Sequence, residues 1–529
     1  MIRIRQIKVH IEANKDTLMK KIADKLHVKP QEILHVQVIK RSLDARLKPQ
    51  LFYVYEVDVE VLNEAKILKK HLPDVSQSIP MAYQVPQAGN GKLSYRPIVV
   101  GSGPSGLFAS YLLAKEGYHP LLIERGSGID TRVKKVQEFW ASGVLDEKTN
   151  VQFGEGGAGT FSDGKLNTMV KDSQGRGRKV FEVFVECGAP EDILYEHKPH
   201  IGTDLLRDVI VRLREKIKEY GGDIRYLSCL TDIVVKNSVL QEIILNQKEH
   251  IACDCLILAL GHSARDTFTM LYQKGLDMIA KPFAVGLRVE HLQKEINESQ
   301  YGLNYPKILP PASYKLTYTT KNNRGVYSFC MCPGGYVVNA SSCKGMLVIN
   351  GMSEHKRDSE NANAAIVVTV GPKDFGEGAL DGMKFQMELE ENAYLQTNGK
   401  IPVQTYKDFV LNKPSDHFGC VLPVVKGQYC LANLNTFLPK YITDSIKEAM
   451  DHFVKIMPAF QEENALFFGI ETRTSSPVRI KRDDTLETNI QGIYACGEGS
   501  GYAGGITTSA MDGLRCAEEI IKKFQKLGD

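Results

Sequence analysis

Pro97-Ile-Val-Val-Gly101-Ser-Gly103-Pro104-Ser105-Gly106-Leu-Phe-Ala109 decides the fold class of this 529-residue chain. The first four residues form a short apolar strand, and Ser105–Glu116 carries a helical apolar face that stops at Gly117. His119–Glu124 is a second strand, which completes a β-α-β unit. Gly101, Gly103 and Gly106 permit a tight turn, close approach of a pyrophosphate, and close packing of helix on strand. Pro104 and Ser105 open the helix, whose free N–H groups and positive dipole end face the phosphates. Glu124 stands 23 positions after Gly101, close to the spacing of about 20 expected for a carboxylate that holds ribose hydroxyls. Arg125 and Arg132, just beyond it, join the candidate contacts. A lone glycine fingerprint is weak, but this one follows a strand, opens a helix and is answered by an acid. Dinucleotide binding is the reading.

The other end of the chain selects the dinucleotide. Gly492-Ile-Tyr-Ala-Cys-Gly497-Glu498 is a strand running into a turn with a carboxylate, and Gly501-Tyr-Ala-Gly504-Gly505-Ile506-Thr507 opens the last helix. This resembles the C-terminal motif of glutathione-reductase-like FAD proteins. There an acid after the strand binds the ribitol, and the helix N-terminus faces the pyrimidine edge of the flavin. The physics suits that edge, because negative charge builds there on reduction and helix N–H groups stabilise it. Those proteins usually carry Asp where Glu498 stands. Between the two motifs, Val151–Leu166 holds five glycines with Thr160, Ser162, Asp163 and Lys165. Such a loop, with Gly157 and Gly164 in it, allows backbone approach to a planar ligand. Cys255–Leu260 followed by Gly261 reads as the strand and turn that re-enter the cofactor domain, and Leu227–Thr231 as an adenine-edge contact.

The first 95 residues read as a separate module. Ile2, Ile4, Val9 and Ile11 are strand-like with a slip in phase, and Leu18, Ile22 and Leu26 recur at helical spacing behind the candidate N-cap Asp16. Strand patterns at 35–40 and 52–61 and a helix at 63–71 give a β-α-β-β-α order, predicting a ferredoxin-like α+β module. It holds 16 Lys and Arg against 10 acids, which we read as a solvated basic face in preference to a nucleic-acid surface. Pro86–Lys92 is polar and glycine-rich, as linkers are.

Composition narrows the class. Hydrophobic residues at 43% and charged residues at 24% exclude wholesale disorder and a coiled coil, and a net charge of +3 gives no argument for nucleic acid. No apolar run reaches the 18 or so residues of a membrane span, and the first residues lack an apolar signal core. Eleven cysteines without a paired Cys-x-x-Cys predict reduced thiols in a cytoplasmic protein and no metal site.

Residues 285–470 are predicted to roof the flavin. Arg288 and Glu290 lie on alternate positions of a strand, Val285-Gly-Leu-Arg-Val-Glu-His291, and either point together into a pocket or serve a structural ion pair. Phe329-Cys330-Met-Cys332-Pro-Gly-Gly335 places two cysteines on one side of an extended chain. A redox pair is one reading. The spacing departs from the reductases' Cys-x-x-Cys, and buried free cysteine is common, so we read the pair as structural. No second glycine fingerprint following a strand occurs in residues 130–490, nor a P-loop, HExxH or nucleophile elbow.

Taken together, GSGPSGLFA, FGEGGAGTFSDGKL, KPHIGTD, LALGHSARDTF, VGLRVEH, FCMCPGGYVV, NGMS and GEGSGYAGGITTSAMDG resemble a family of uncharacterised bacterial FAD-dependent dehydrogenases with a family-specific C-terminal domain. That family has Glu at the position of Glu498. The resemblance implies FAD and redox chemistry and supplies no substrate. The expected architecture is α/β, with a split Rossmann-like FAD-binding domain (96–284 and 471–529), an inserted α+β substrate domain (285–470), an N-terminal module (1–90) and a linker (91–95). The expected function is hydride transfer between a small organic substrate and flavin N5, with NAD(P)H as a transient reductant in the same cleft. The alternatives are an NAD(P)H-fed monooxygenase or ene-reductase, and a flavin-bearing RNA-binding or modification factor. Catalytic residues and oligomeric state are left open.

Overall fold

The computed structural model describes residues 1–79, 82–461 and 465–527. Its N-terminal module is a four-stranded antiparallel sheet in the spatial order Ile33–Leu47, Gln50–Val61, Ile2–His10, Val75–Gln77. With helices Lys15–Leu26 and Glu64–Leu68 this is the ferredoxin-like arrangement. The phase slip in the first strand is a bulge between Ile4 and Ile7, where Gln6 takes a φ of 57°. The extra residue lets Ile2, Ile4, Ile7 and Val9 all face the core. Two local expectations change. Asn14, not Asp16, caps the first helix, accepting the Thr17 N–H. The second helix covers only Glu64–Leu68, since Asn63 and His71 at its borders are left-handed. Several of the module's basic residues are paired, Arg3 with Asp58, Arg5 with Glu56 and Lys25 with Asp74 inside the module, and Arg41 with Glu196 across its boundary.

The second unit is a five-stranded parallel sheet in the order Ile493–Ala495, Leu256–Leu258, Ile98–Val100, Leu121–Ile123, Asp223–Arg225. Numbered along the chain this is 3-2-1-4-5 read from the far edge, the doubly wound order, with its switch point between the 98–100 and 256–258 strands. Three glycines bring the surrounding pieces close. A Cβ on Gly101 (φ 104°) would lie 2.3 Å from the Ala259 carbonyl oxygen, and one on Gly106 1.8 Å from the Gly101 carbonyl. A Cβ on Gly513 would lie 2.1 Å from the Ser105 carbonyl, so the helices Pro104–Lys115 and Ile506–Lys523 cross in backbone contact. Both helices therefore start at the carboxyl edge of the sheet.

The third unit is a seven-stranded sheet in the order Thr317–Thr319, Gly325–Cys332, Asn361–Val370, Phe283–Leu292, Leu466–Glu471, Ile401–Thr405, Tyr429–Leu431. Phe283, Val285, Leu287 and Val289 point to one side, where Ile442, Ile446, Ala449, Met450 and Phe453 of helix Lys440–Ile456 cover them. The even positions face the other way, toward the cofactor unit, so strand periodicity alone sends Arg288 there. The glycine-rich linker is fixed: Gly89 and Gly91 donate to the Ile521 and Lys523 carbonyls at the end of the last helix. Among the described residues no helix is long and apolar enough to cross a membrane.

Candidate active site

A cavity of about 530 Å³ lies at the switch point, well inside the range of small-molecule sites. Its lower wall comes from Gly101–Ser105, Glu124, Arg125, Gly261, Glu498 and Gly504–Ile506; its upper wall from Phe329, Cys330, Asn350 and Arg473–Ser475. The 157–165 stretch closes the side with Gly157, Ser162, Asp163, Gly164 and Lys165, while Ser228 and Leu230 reach the opposite end.

The glycine turn is braced by its acid. Glu124 Oε2 accepts the Ser102 N–H (3.0 Å) and Ser102 Oγ–H (2.7 Å), and Oε1 accepts the N–H groups of Gly126 (2.9 Å) and Gly154 (3.0 Å). One carboxylate thus ties three segments together. Arg125 donates to Asp266 and Thr267 and lies over the Phe153 ring at 4.4 Å. Glu498 accepts from His262 Nδ1 at 3.1 Å, if that nitrogen carries the proton, and the buried His262 Nε2 has no partner among the described residues.

Several expected contacts sit behind the cavity wall instead of on it. Arg132 is wholly buried, and its guanidinium donates to the carbonyls of Asn150, Val151, Gly154, Glu155 and Gly157. It holds the glycine loop in shape and, wholly buried behind the wall, presents no donor to a phosphate; burial lowers its pKa to about 10. Thr160 is sealed in that loop, its carbonyl accepting from Thr203. Gly106 and Gly497 serve packing, a Cβ on Gly497 meeting Ser105 Oγ at 2.3 Å, and the Thr507 hydroxyl is spent on the Leu166 carbonyl. Asp163 does line the cavity, but its carboxylate is committed: it pairs with Arg357 and accepts from Ser353 (2.7 Å), and although burial works against its charge, Arg357 and Lys165 hold its pKa below the usual range.

Arg288 does not pair with Glu290. Its guanidinium grips Glu471 through Nε (3.0 Å) and Nη2 (2.9 Å) and also donates to Asn363, Asn350 and the Cys330 carbonyl. Glu290 is buried against the Val424 N–H, and burial pushes its pKa well up. Cys330 lines the cavity while Cys332 is buried beneath it. A cluster that local sequence does not disclose joins the units: Glu390, fully buried, accepts from Arg265 and Arg473, and Arg473 also donates to Ser263 and Ser342. Its members lie 83 and 125 positions apart, so no motif announces it.

The residues present fit an FAD. Neither helix N-terminus at the cavity has a side-chain cap, which leaves N–H groups for phosphate and flavin oxygens. A Cβ on Gly261, Gly504 or Gly505 would meet nothing within 4 Å, so these glycines form an open cradle. Among the described residues no cluster of His, Cys, Asp and Glu could hold a metal.

Residues 282–474 match the model of the FAD-dependent protein C-terminal domain, residues 99–148 an NAD(P)-binding Rossmann-like domain, and residues 1–60 a domain of unknown function. Loose similarity extends to glycine oxidase from Bacillus cereus (11% identity, 82% of this chain and 96% of that one, TM-score 0.35). It extends as well to L-proline dehydrogenase from P. horikoshii (12%, 84% and 96%, 0.35) and the halogenase PltM in complex with phloroglucinol and FAD (11%, 81% and 68%, 0.36). An uncharacterised protein of Clostridium beijerinckii is 45% identical over 99% of both chains. With a relative of that identity and the C-terminal domain in place, the chain belongs to the family of FAD-dependent proteins that this domain defines.

Proposed function

We propose that this FAD-dependent oxidoreductase moves hydride between a small organic substrate and flavin N5, with NAD(P)H visiting the same cleft when it serves as reductant. One observation carries the reading. A single cavity is walled below by the two glycine turns and above by side chains of the seven-stranded sheet, so cofactor and substrate share one enclosure. In this assignment the turn Gly101–Gly106 takes the pyrophosphate, Glu124 the ribose and Glu498 the ribitol. The N–H groups at Gly505–Thr507 hold charge at the pyrimidine edge, the Gly504 N–H being donated to the Thr508 hydroxyl at 3.1 Å. Bound FAD supplies the hydride chemistry. Asn350 and Lys165 are left to orient the substrate, because Arg473 already spends its donors on Glu390, Ser263 and Ser342.

Anaerobic bleaching of the flavin across a panel of small organic donors and NAD(P)H tests the assignment. Bleaching by an organic donor supports it; bleaching by NAD(P)H alone, followed by oxygen consumption with a hydroxylated product, favours a monooxygenase. The chromophore released on denaturation should be FAD, and chromatography showing FMN would refute the pyrophosphate site. Glu124→Ala should weaken FAD retention by about 1–3 kcal/mol, the cost of charge-assisted hydrogen bonds left unmade. Equilibrium dialysis measures this directly, and an unchanged dissociation constant would remove Glu124 from the site.

A further inference from the structure

We propose that Cys330 and Cys332 form a second two-electron centre, a dithiol–disulfide couple that faces the flavin cavity and exchanges electrons with the cofactor. The assignment rests on the FAD reading above.

Four observations support it. The strand Gly325–Cys332 loses register against its neighbour between Phe329 and Cys332, and Cys330 sits there with a left-handed φ of 43°. A non-glycine residue in that region costs free energy and persists only where surrounding structure enforces it, most often at functional sites. The bulge turns Cys330 into the cavity wall, whereas a regular strand would leave it in the ladder. Beneath it, the Cys332 Sγ lies 3.3 Å from the Cys330 carbonyl, and both thiols are free. The charges around the pair are Arg288 and Glu471, from strands Phe283–Leu292 and Leu466–Glu471 of the same sheet, and Lys165 and Asp163 from the side loop, with Arg288 donating to the Cys330 carbonyl.

That environment treats the two sulfurs differently. Interaction with Cys332, together with Arg288 and Lys165, lowers the Cys330 pKa to about 6 against the opposing effect of burial. Cys332 is pushed well up, by its interaction with Cys330 and by burial. The asymmetry fits the electron balance. Two electrons and one proton from reduced flavin (FADH⁻) cleave the S–S bond; Cys330 leaves as the thiolate, Cys332 takes the proton, and oxidised FAD remains. The reverse step forms the S–S bond and returns the pair of electrons and the proton to the flavin.

The test uses the purified holoprotein and two readouts. Iodoacetamide labelling followed by peptide mass spectrometry should show Cys330 reacting fastest of the cysteines, with a rate that rises through about pH 6. Oxidation with diamide should remove two hydrogens from the peptide holding both residues. Reductive titration of the diamide-treated protein should then consume two equivalents of dithionite per flavin in the parent and one in the Cys330→Ser, Cys332→Ser double variant, since each couple takes two electrons. One equivalent in the parent, or a Cys330 that labels more slowly than the exposed Cys420, overturns the proposal. Should the double variant fail to fold, labelling and diamide oxidation of the parent still decide. A protein that carries no flavin but forms the disulfide would leave the thiol couple standing and bring down the FAD reading.

Discussion

Glu390→Ala should cost the fold about 3–5 kcal/mol, as removal of one partner from a buried ion pair does. Glu390 is fully buried between two guanidiniums, with Arg265 at 2.7 and 2.9 Å, Arg473 at 2.7 and 3.0 Å, and the Thr472 hydroxyl at 2.7 Å. Alanine leaves two cations without a counter-charge in the seam between the parallel sheet and the seven-stranded sheet. Burial would raise the carboxyl pKa, yet Arg265 and Arg473 hold it well below its ordinary range. A depressed folded-state value means that the stabilisation is complete above the unfolded pKa, about 4.3 for Glu, and is lost as pH falls through the folded value. The parent should therefore lose this contribution in acid, and the variant, already without it, should show the smaller acid-induced drop. Urea unfolding followed by circular dichroism at neutral and acidic pH checks both statements. Equal midpoints for parent and variant at neutral pH would show that the cluster gives no net stability.

Gly505→Val should abolish FAD retention or weaken it at least about tenfold, equivalent to about 1.4 kcal/mol. Gly505 caps the last helix at φ 86° and ψ 169°, a backbone region held almost only by glycine that costs other residues about 1–3 kcal/mol. A Cβ on Gly505 meets no protein atom within 4 Å, so the added side chain competes first with a ligand in the cavity. The folded variant should therefore unfold within a few kcal/mol of the parent while losing its flavin. Any flavin that remains should have a lower midpoint potential, because the helix N–H groups would be held away from the edge where reduced flavin is anionic. Thr508→Ser, which keeps the hydroxyl bonded to the Gly504 carbonyl, should change far less. If affinity and potential are both unchanged in Gly505→Val, the last helix does not face the flavin.

The sequence by itself determined the parts of this protein whose chemistry is local. A β-α-β unit with Gly101, Gly103 and Gly106 at fixed offsets leaves few ways to arrange strand, turn and helix, and the doubly wound sheet follows from it. The phase slip in the first strand was likewise readable, since period-two burial demands an extra residue between Ile4 and Ile7. Tertiary structure alone decided the partners of buried charges. Arg132 lies near the glycine motif in sequence, yet it is consumed by loop carbonyls that fold around it. Arg288 shares a strand face with Glu290 but pairs with Glu471, because the neighbouring strand brings a carboxylate 183 positions away within 3.0 Å. Cys330 shows the same limit: spacing suggested an ordinary strand, and only the bulge, set by pairing with Asn361–Val370, turns its thiol to the cavity. A guanidinium or a thiol takes its role from whatever donors and charges the fold gathers within a few ångströms, and those arrive from distant parts of the chain.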